Sequence, residues 1–208
     1  MARPRKFGIE DAEAKLLDVF WSRGYAGTSL RDLCEATEQR PASLYAAFGD
    51  KDEMYAIAMR RYAAWIESEL SPRQDGAAGV RHILEAVARL TLEDGERRGC
   101  PIINSVAERE NLSAQANAFV SESFAALRAL FRRQVKACVG SDSSGSKIDA
   151  IVSLLVGATI SIRVLGRAGA TTEEIRRTAM SALDAFETWR SGYSPRSGRR
   201  PAAKRVSG

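Results

Sequence analysis

The sequence predicts an all-α protein of about nine helices, and three observations carry that prediction. Apolar residues recur at helical spacing throughout, as in Leu16, Val19 and Phe20 or Ala58, Tyr62, Trp65 and Ile66, while no segment sustains the alternation of a strand. Helix starts are marked: Asp50 with Glu53 and Thr171 with Glu174 have capping-box spacing, and Ser29 with Asp32 and Ser146 with Asp149 are weaker versions. Breaks fall between the periodic stretches, at Gly24, Ser71-Pro72, Gly95 to Pro101, Gly140 to Gly145 and Gly166 to Ala170.

Taken in order, the first helix buries Leu17 and Phe20 and stops at Gly24, the residue type a helix end favours. Two short helices follow, with Leu30, Leu33 and Leu44 spaced to pack them together. Helices that short, joined by a four-residue turn, have the form of a helix-turn-helix, whose second helix fits the DNA major groove. Tyr45 and Phe48 wedge that second helix against its neighbours, and a longer helix runs from about Asp50 to Leu70. Further on, the stretch from Ile148 to Leu165 is apolar on almost every face, so it must be covered on all sides. The last helix carries Ile175, Ala179, Leu183, Phe186 and Trp189 as an apolar stripe.

Each polar group around the turn has a chemistry suited to nucleic acid. Thr28 and Ser29 sit where hydroxyls and free backbone N–H groups can hold a phosphate. The Tyr45 hydroxyl and Lys51, in the first turn of the following helix, suit backbone phosphates as well. Arg40 offers a bidentate donor at the start of the second short helix, either to a base or to a phosphate, or as a solvated charge. Pro41 suits a first helical turn, and Ala42, beside Ser43, either meets a thymine methyl or simply favours helix.

The order Gly24-Tyr25, Thr28-Ser29-Leu30, Asp32-Leu33, then Ser43-Leu44-Tyr45 and Phe48-Gly49-Asp50-Lys51 closely resembles the N-terminal domain of the tetracycline-repressor-like (TetR) transcription regulators. The resemblance covers roughly residues 9–62, and the helix count extends it less specifically to about residue 190. It implies a DNA-binding domain over 1–62 and an effector-binding and dimerisation domain over 63–190, while the Gly-, Pro-, Ser- and Arg-rich composition of 191–208 reads as a disordered basic tail. The implied protein is a cytoplasmic homodimer that binds a palindromic double-stranded operator and is released by a small molecule. The turn departs from the family's usual Gly-Val-Ser by carrying Glu38, Gln39 and Arg40. A glutamate in a left-handed turn position costs roughly 1 kcal/mol relative to glycine.

For the second half, the resemblance implies an effector cavity on helices that carry Trp65, Leu84, Val87, Cys100, Ile103, Phe119, Phe124 and Leu127. Two apolar helices from each of two chains would make a four-helix interface, with Ile151, Leu155, Ile162, Leu183 and Phe186 in it, or would only complete the protomer's own core. Cys100 lies at a helix start beside Arg97 and Arg98, conditions that activate a thiol toward electrophiles or oxidants. The same residue also reads as an inert, half-buried side chain.

Composition narrows the remaining classes. Six basic residues and no acid lie between Arg190 and Gly208, so the preceding residues sum to a charge of about −1 although the whole chain carries +5. The basic arm Arg3, Arg5 and Lys6 and the tail are either phosphate contacts or solvated termini. Three widely spaced cysteines fit a reducing compartment, and no apolar run reads as a membrane span. A single histidine, no Gly-rich phosphate loop and no nucleophile–base pair argue against an enzyme, and no cofactor or metal is expected. A helical small-molecule-binding protein or enzyme without a DNA role is the competing class.

Overall fold

The computed structural model describes residues 8–139 and 145–192, and among them it has nine α-helices and no strand. In order these are α1 (Ile9–Arg23), α2 (Leu30–Thr37), α3 (Pro41–Phe48), α4 (Lys51–Leu70), α5 (Ala77–Glu93), α6 (Pro101–Asn104), α7 (Ala114–Cys138), α8 (Gly145–Arg167) and α9 (Thr172–Ser191). A 3₁₀ segment, Ser105–Asn111, joins α6 to α7. The basic arm and the tail beyond residue 192 lie outside the described residues.

Helix starts follow the capping logic closely. Ser29, Asp50 and Thr171 each form a complete reciprocal box with Asp32, Glu53 and Glu174, which satisfies two orphan N–H groups at each end. Ser146 lies inside α8, which begins at Gly145, and the Asp149 carboxylate is bonded to Arg132 of α7. The 3₁₀ segment and the start of α7 at Ser113, whose hydroxyl accepts from the Ala116 N–H, interrupt what reads in sequence as continuous helix.

Two apolar cores hold the fold. The first packs Leu16 and Phe20 of α1 with Leu33, Leu44, Phe48 and Tyr62. It also takes in Cys100, Ile102, Leu112, Ala116 and Val120 from the later part of the chain. The second core is built by α5, α7, α8 and α9 around Ile83, Phe131, Leu155 and Phe186. Helix α4 runs unbroken through residue 62, where the sequence places a domain boundary. The two halves are thus joined by a rigid helix and a shared core.

By length and composition α8 is apolar enough to cross a membrane, contrary to the sequence expectation. It packs against α5, α7 and α9, with Val152, Leu155 and Ile162 turned inward. Those three belong to the protomer's own core. The same is true of Ile151, Leu183 and Phe186. The residues expected at a dimer interface, Ile151, Leu155, Ile162, Leu183 and Phe186, are therefore already covered within one chain. A helix of this apolarity has more than one face, and the inward face accounts for them. The outward one carries Leu154 and Val164, 43% and 49% exposed, with Met180 of α9 also exposed.

The turn between α2 and α3 has the left-handed geometry that its position demands. Glu38 has φ 56° and ψ 32°, and its N–H and that of Gln39 close the end of α2 onto the Glu35 and Cys34 carbonyls. The Lys15 ammonium, 3.6 Å from the Glu38 carboxylate, is too exposed a partner to offset the backbone cost. Glu38→Gly is expected to raise stability by about 1 kcal/mol. Thermal and guanidinium denaturation of the variant check this, and an unchanged midpoint would refute it.

Candidate functional site

Helix α3 shows most of its surface. Leu44 and Phe48 anchor it in the first core, while Pro41, Ala42, Ser43, Tyr45, Ala46 and Ala47 are exposed. Small side chains over most of that face let the helix approach a surface closely, and Tyr45, 47% exposed, stands out from it. Arg40 caps the helix, is exposed, and forms no ion pair among the described residues.

The neighbouring groups are held more tightly than their sequence positions suggest. Thr28 is 2% exposed, and its hydroxyl donates to the Gly24 carbonyl at 2.6 Å. Its side chain therefore closes the α1–α2 loop and does not face a phosphate, as expected from sequence. Ser29 is exposed, but its hydroxyl donates to the Asp32 carboxylate at 2.6 Å within the capping box. The Ser29 hydroxyl and N–H, with Arg23 beside them, hold the Asp32 carboxyl down at about 2. Lys51 lies with its ammonium 4.2 Å from the centre of the Tyr25 ring, and partial burial lowers its pKa. The Tyr25 hydroxyl donates to Asp52, and burial together with that bond pushes its pKa up to about 12.

The later half of the chain grips this domain at several points. The Glu108 carboxylate, on the 3₁₀ segment, accepts from the Tyr25 N–H at 2.6 Å and the Ala26 N–H at 3.2 Å. A Cβ at Gly24 would collide with that carboxylate, so the glycine serves this close approach as well as its own φ of 72°. The Tyr55 and Ser105 hydroxyls share a hydrogen bond of 2.5 Å. The Trp21 indole N–H donates to the Gly99 carbonyl at 3.1 Å. Charge-assisted bonds to backbone N–H groups are the strong kind, so Glu108→Ala is expected to speed hydrogen exchange at the Tyr25 and Ala26 amides about tenfold or more. Unchanged exchange would show that the loop does not depend on Glu108.

An apolar cavity of about 90 Å³ lies where α4, α5, α6, α7 and α8 meet. Of the residues expected there, Val87, Cys100, Ile103, Phe124 and Leu127 line it. The other three do not. Trp65 lies on the surface in a groove between α1 and α4, Leu84 is buried in the second core, and Phe119 faces an outer groove between α4 and α7. Helical periodicity marks such positions as apolar but does not say which void they face.

The polar residues of the cavity lining, Tyr62, Ser123, Thr159 and Arg163, went unrecognised in sequence. Arg163 was legible only as a charge interrupting an otherwise apolar helix, which is the signal that marks it. Cys100 caps α6 and is buried. The guanidinium of Arg98 turns away from it to Asp18 and Asp94 and stacks over Trp21 at 4.2 Å. Cys100 instead faces the Tyr62 phenol, whose pKa lies well above its usual value because of burial, then the nearby thiol. Among the described residues no group of three His, Cys, Asp or Glu is placed to hold a metal ion.

Comparison with known proteins agrees with this geometry. Residues 15–57 match the family of bacterial regulatory proteins, tetR family. The HTH-type transcriptional repressor ComR of Escherichia coli (strain K12) is 32% identical over 108 residues, which are 50% of this chain and 51% of ComR. The HTH-type transcriptional repressor BdcR of the same organism is 27% identical over 108 residues, 50% of this chain and 55% of BdcR. The chain thus spans about half the length of the curated relatives it matches. A cysteine mutant of the TetR family transcriptional regulator CifR, solved with 26-base-pair double-strand operator DNA, superimposes with a TM-score of 0.72 at 26% identity. That match covers 88% of this chain and 99% of CifR. With an N-terminal helix-turn-helix over the matched residues 15–57 and nine helices among the described residues arranged as in CifR, the chain is similar to the tetR family of bacterial regulatory proteins.

Proposed function

We propose that the protein is a dimeric transcriptional repressor that holds a palindromic double-stranded operator through α3 and releases it when a small molecule enters the cavity. The exposed face of α3 is the observation that carries this reading. An eight-residue helix anchored only by Leu44 and Phe48 leaves Arg40, Pro41, Ala42, Ser43 and Tyr45 free to enter a major groove. Ser29 and Lys51 flank that helix from the starts of α2 and α4, where phosphate oxygens are the natural partners. A second copy covers the outward face of α8 and α9, where Leu154, Val164 and Met180 are exposed beside the small residues Gly157 and Ser161.

The route from cavity to DNA runs through α6 and the 3₁₀ segment. Cys100, Ile102 and Ile103 line the cavity, and residues on either side of them, Gly99 and Glu108, hold Trp21 and the α1–α2 loop. A ligand that moves α6 therefore loads the loop from which α2 and α3 start. Helix α4 supplies a second route, since Tyr62, Ile66 and Leu70 line the cavity while its first turn adjoins α3.

Selection of bound DNA from a random pool, followed by mobility shifts on the selected site, tests the reading. Absence of sequence-selective binding at moderate salt would end it. On the selected site Arg40→Ala is expected to weaken binding about tenfold and to relax preference at one base position in each half-site. A uniform loss across all sequences with a shallower salt slope would reassign Arg40 to a phosphate.

A further inference from the structure

Arg163 is the only buried lysine or arginine among the described residues, at 4% exposure. Its guanidinium makes three hydrogen bonds, all to neutral oxygens: Thr91 Oγ1 at 3.2 Å, the Tyr62 hydroxyl at 3.0 Å and the Gly99 carbonyl at 2.9 Å. No described carboxylate lies within ion-pair distance of it. Tyr62 does not supply the missing charge either, because burial holds its phenol protonated. A buried cation without a counter-ion is costly, and the cost is relieved when an anion is bound beside it. Arg163 also lines the cavity, whose other walls are apolar side chains such as Ile66, Val87, Phe124 and Leu127.

We propose that this cavity binds a small organic monocarboxylate, its carboxylate paired with Arg163 and its apolar body lying between α4, α5 and α7. The inference rests on the effector-responsive reading above and names the chemical class of the effector. Thr159 and Ser123 also line the cavity, but their hydroxyls donate to the Leu155 and Phe119 carbonyls, which leaves Arg163 as the charged donor there. The volume of about 90 Å³ is below the roughly 150 Å³ void that takes benzene. The body enclosed by the cavity is therefore a short chain, and a ring fits only by extending past half-buried Ser123, Phe124 and Leu127. The Gly99 carbonyl links binding to DNA, since it accepts from both Arg163 and Trp21. A carboxylate that draws the guanidinium into the cavity takes one of those two donors from Gly99.

Isothermal titration of the full-length protein, without DNA, with benzoate and hexanoate against benzamide and hexanamide tests this. The acids are expected to bind at least tenfold tighter than their amides, and Arg163→Met is expected to bring acid and amide within about twofold of each other. Where Arg163→Met fails to fold by circular dichroism, Arg163→Lys serves instead, and is expected to keep the preference for acid at reduced affinity. Equal binding of acid and amide, tighter binding of the amide, or no binding of either acid would overturn the assignment. The DNA selection above is independent of this titration. Carboxylate binding without DNA selectivity would refute the repressor reading alone, and DNA selectivity without carboxylate binding would refute the cavity assignment alone.

Discussion

Replacing Leu154 and Val164 together by arginine is expected to give a folded monomer that has lost roughly a thousandfold or more of its operator affinity. Both side chains are about half exposed on α8 and contribute little to the protomer's own core, so circular dichroism and the melting midpoint should change little. In the proposed dimer, two arginines on this face would meet their own copies across the two-fold axis, and like charges there would oppose association. The isolated protomer keeps one recognition helix and falls toward the affinity of non-specific binding, several orders of magnitude weaker than a specific dimer. Sedimentation velocity reads the assembly state, and fluorescence anisotropy on the selected operator reads the affinity. A double variant that still sediments as a dimer would place the interface elsewhere.

Phe20→Ala is expected to lower the free energy of unfolding by about 3–5 kcal/mol, a large part of the 5–15 kcal/mol typical of a folded domain. Phe20 is almost fully buried, and its ring meets the edge of Tyr55 at 5.2 Å and stacks with Tyr25 at 6.5 Å. Removing it empties a site walled by α1 and α4, two long helices that relax only partly into the space. The loss also reaches function, because Tyr25 carries the Lys51 contact and begins the loop gripped by Glu108. Guanidinium denaturation checks the magnitude. A loss below about 1 kcal/mol would show that the ring is not the keystone of the first core.

The helix-turn-helix was legible because its information is local. Capping boxes at Ser29 and Asp50, the stop at Gly24 and the apolar pair Leu44 and Phe48 all act within a few residues of themselves. The strained turn at Glu38 was legible for the same reason, since only backbone sterics decide it. Thr28 was misplaced because the acceptor of its hydroxyl, the Gly24 carbonyl, lies in a loop whose shape is not encoded by periodicity. The residues expected at a dimer interface are buried in their own chain on a similar ground: an apolar helix announces that it must be covered, but not which faces its own chain covers.

Number of helices, their starts and stops, the exposed recognition helix and the family resemblance all follow from short-range chemistry, namely capping, φ preference and a 3.6-residue period. The shared core that binds residues 100–120 to the helix-turn-helix half arises from contacts between positions far apart in the chain. So do the Glu108 grip on the α1–α2 loop, separated by 83 residues, and the meeting of Arg163 with Tyr62, separated by 101. Burial and hydrogen bonding at such separations depend on how whole helices pack, and a buried cation beside an apolar cavity exists only once they have packed.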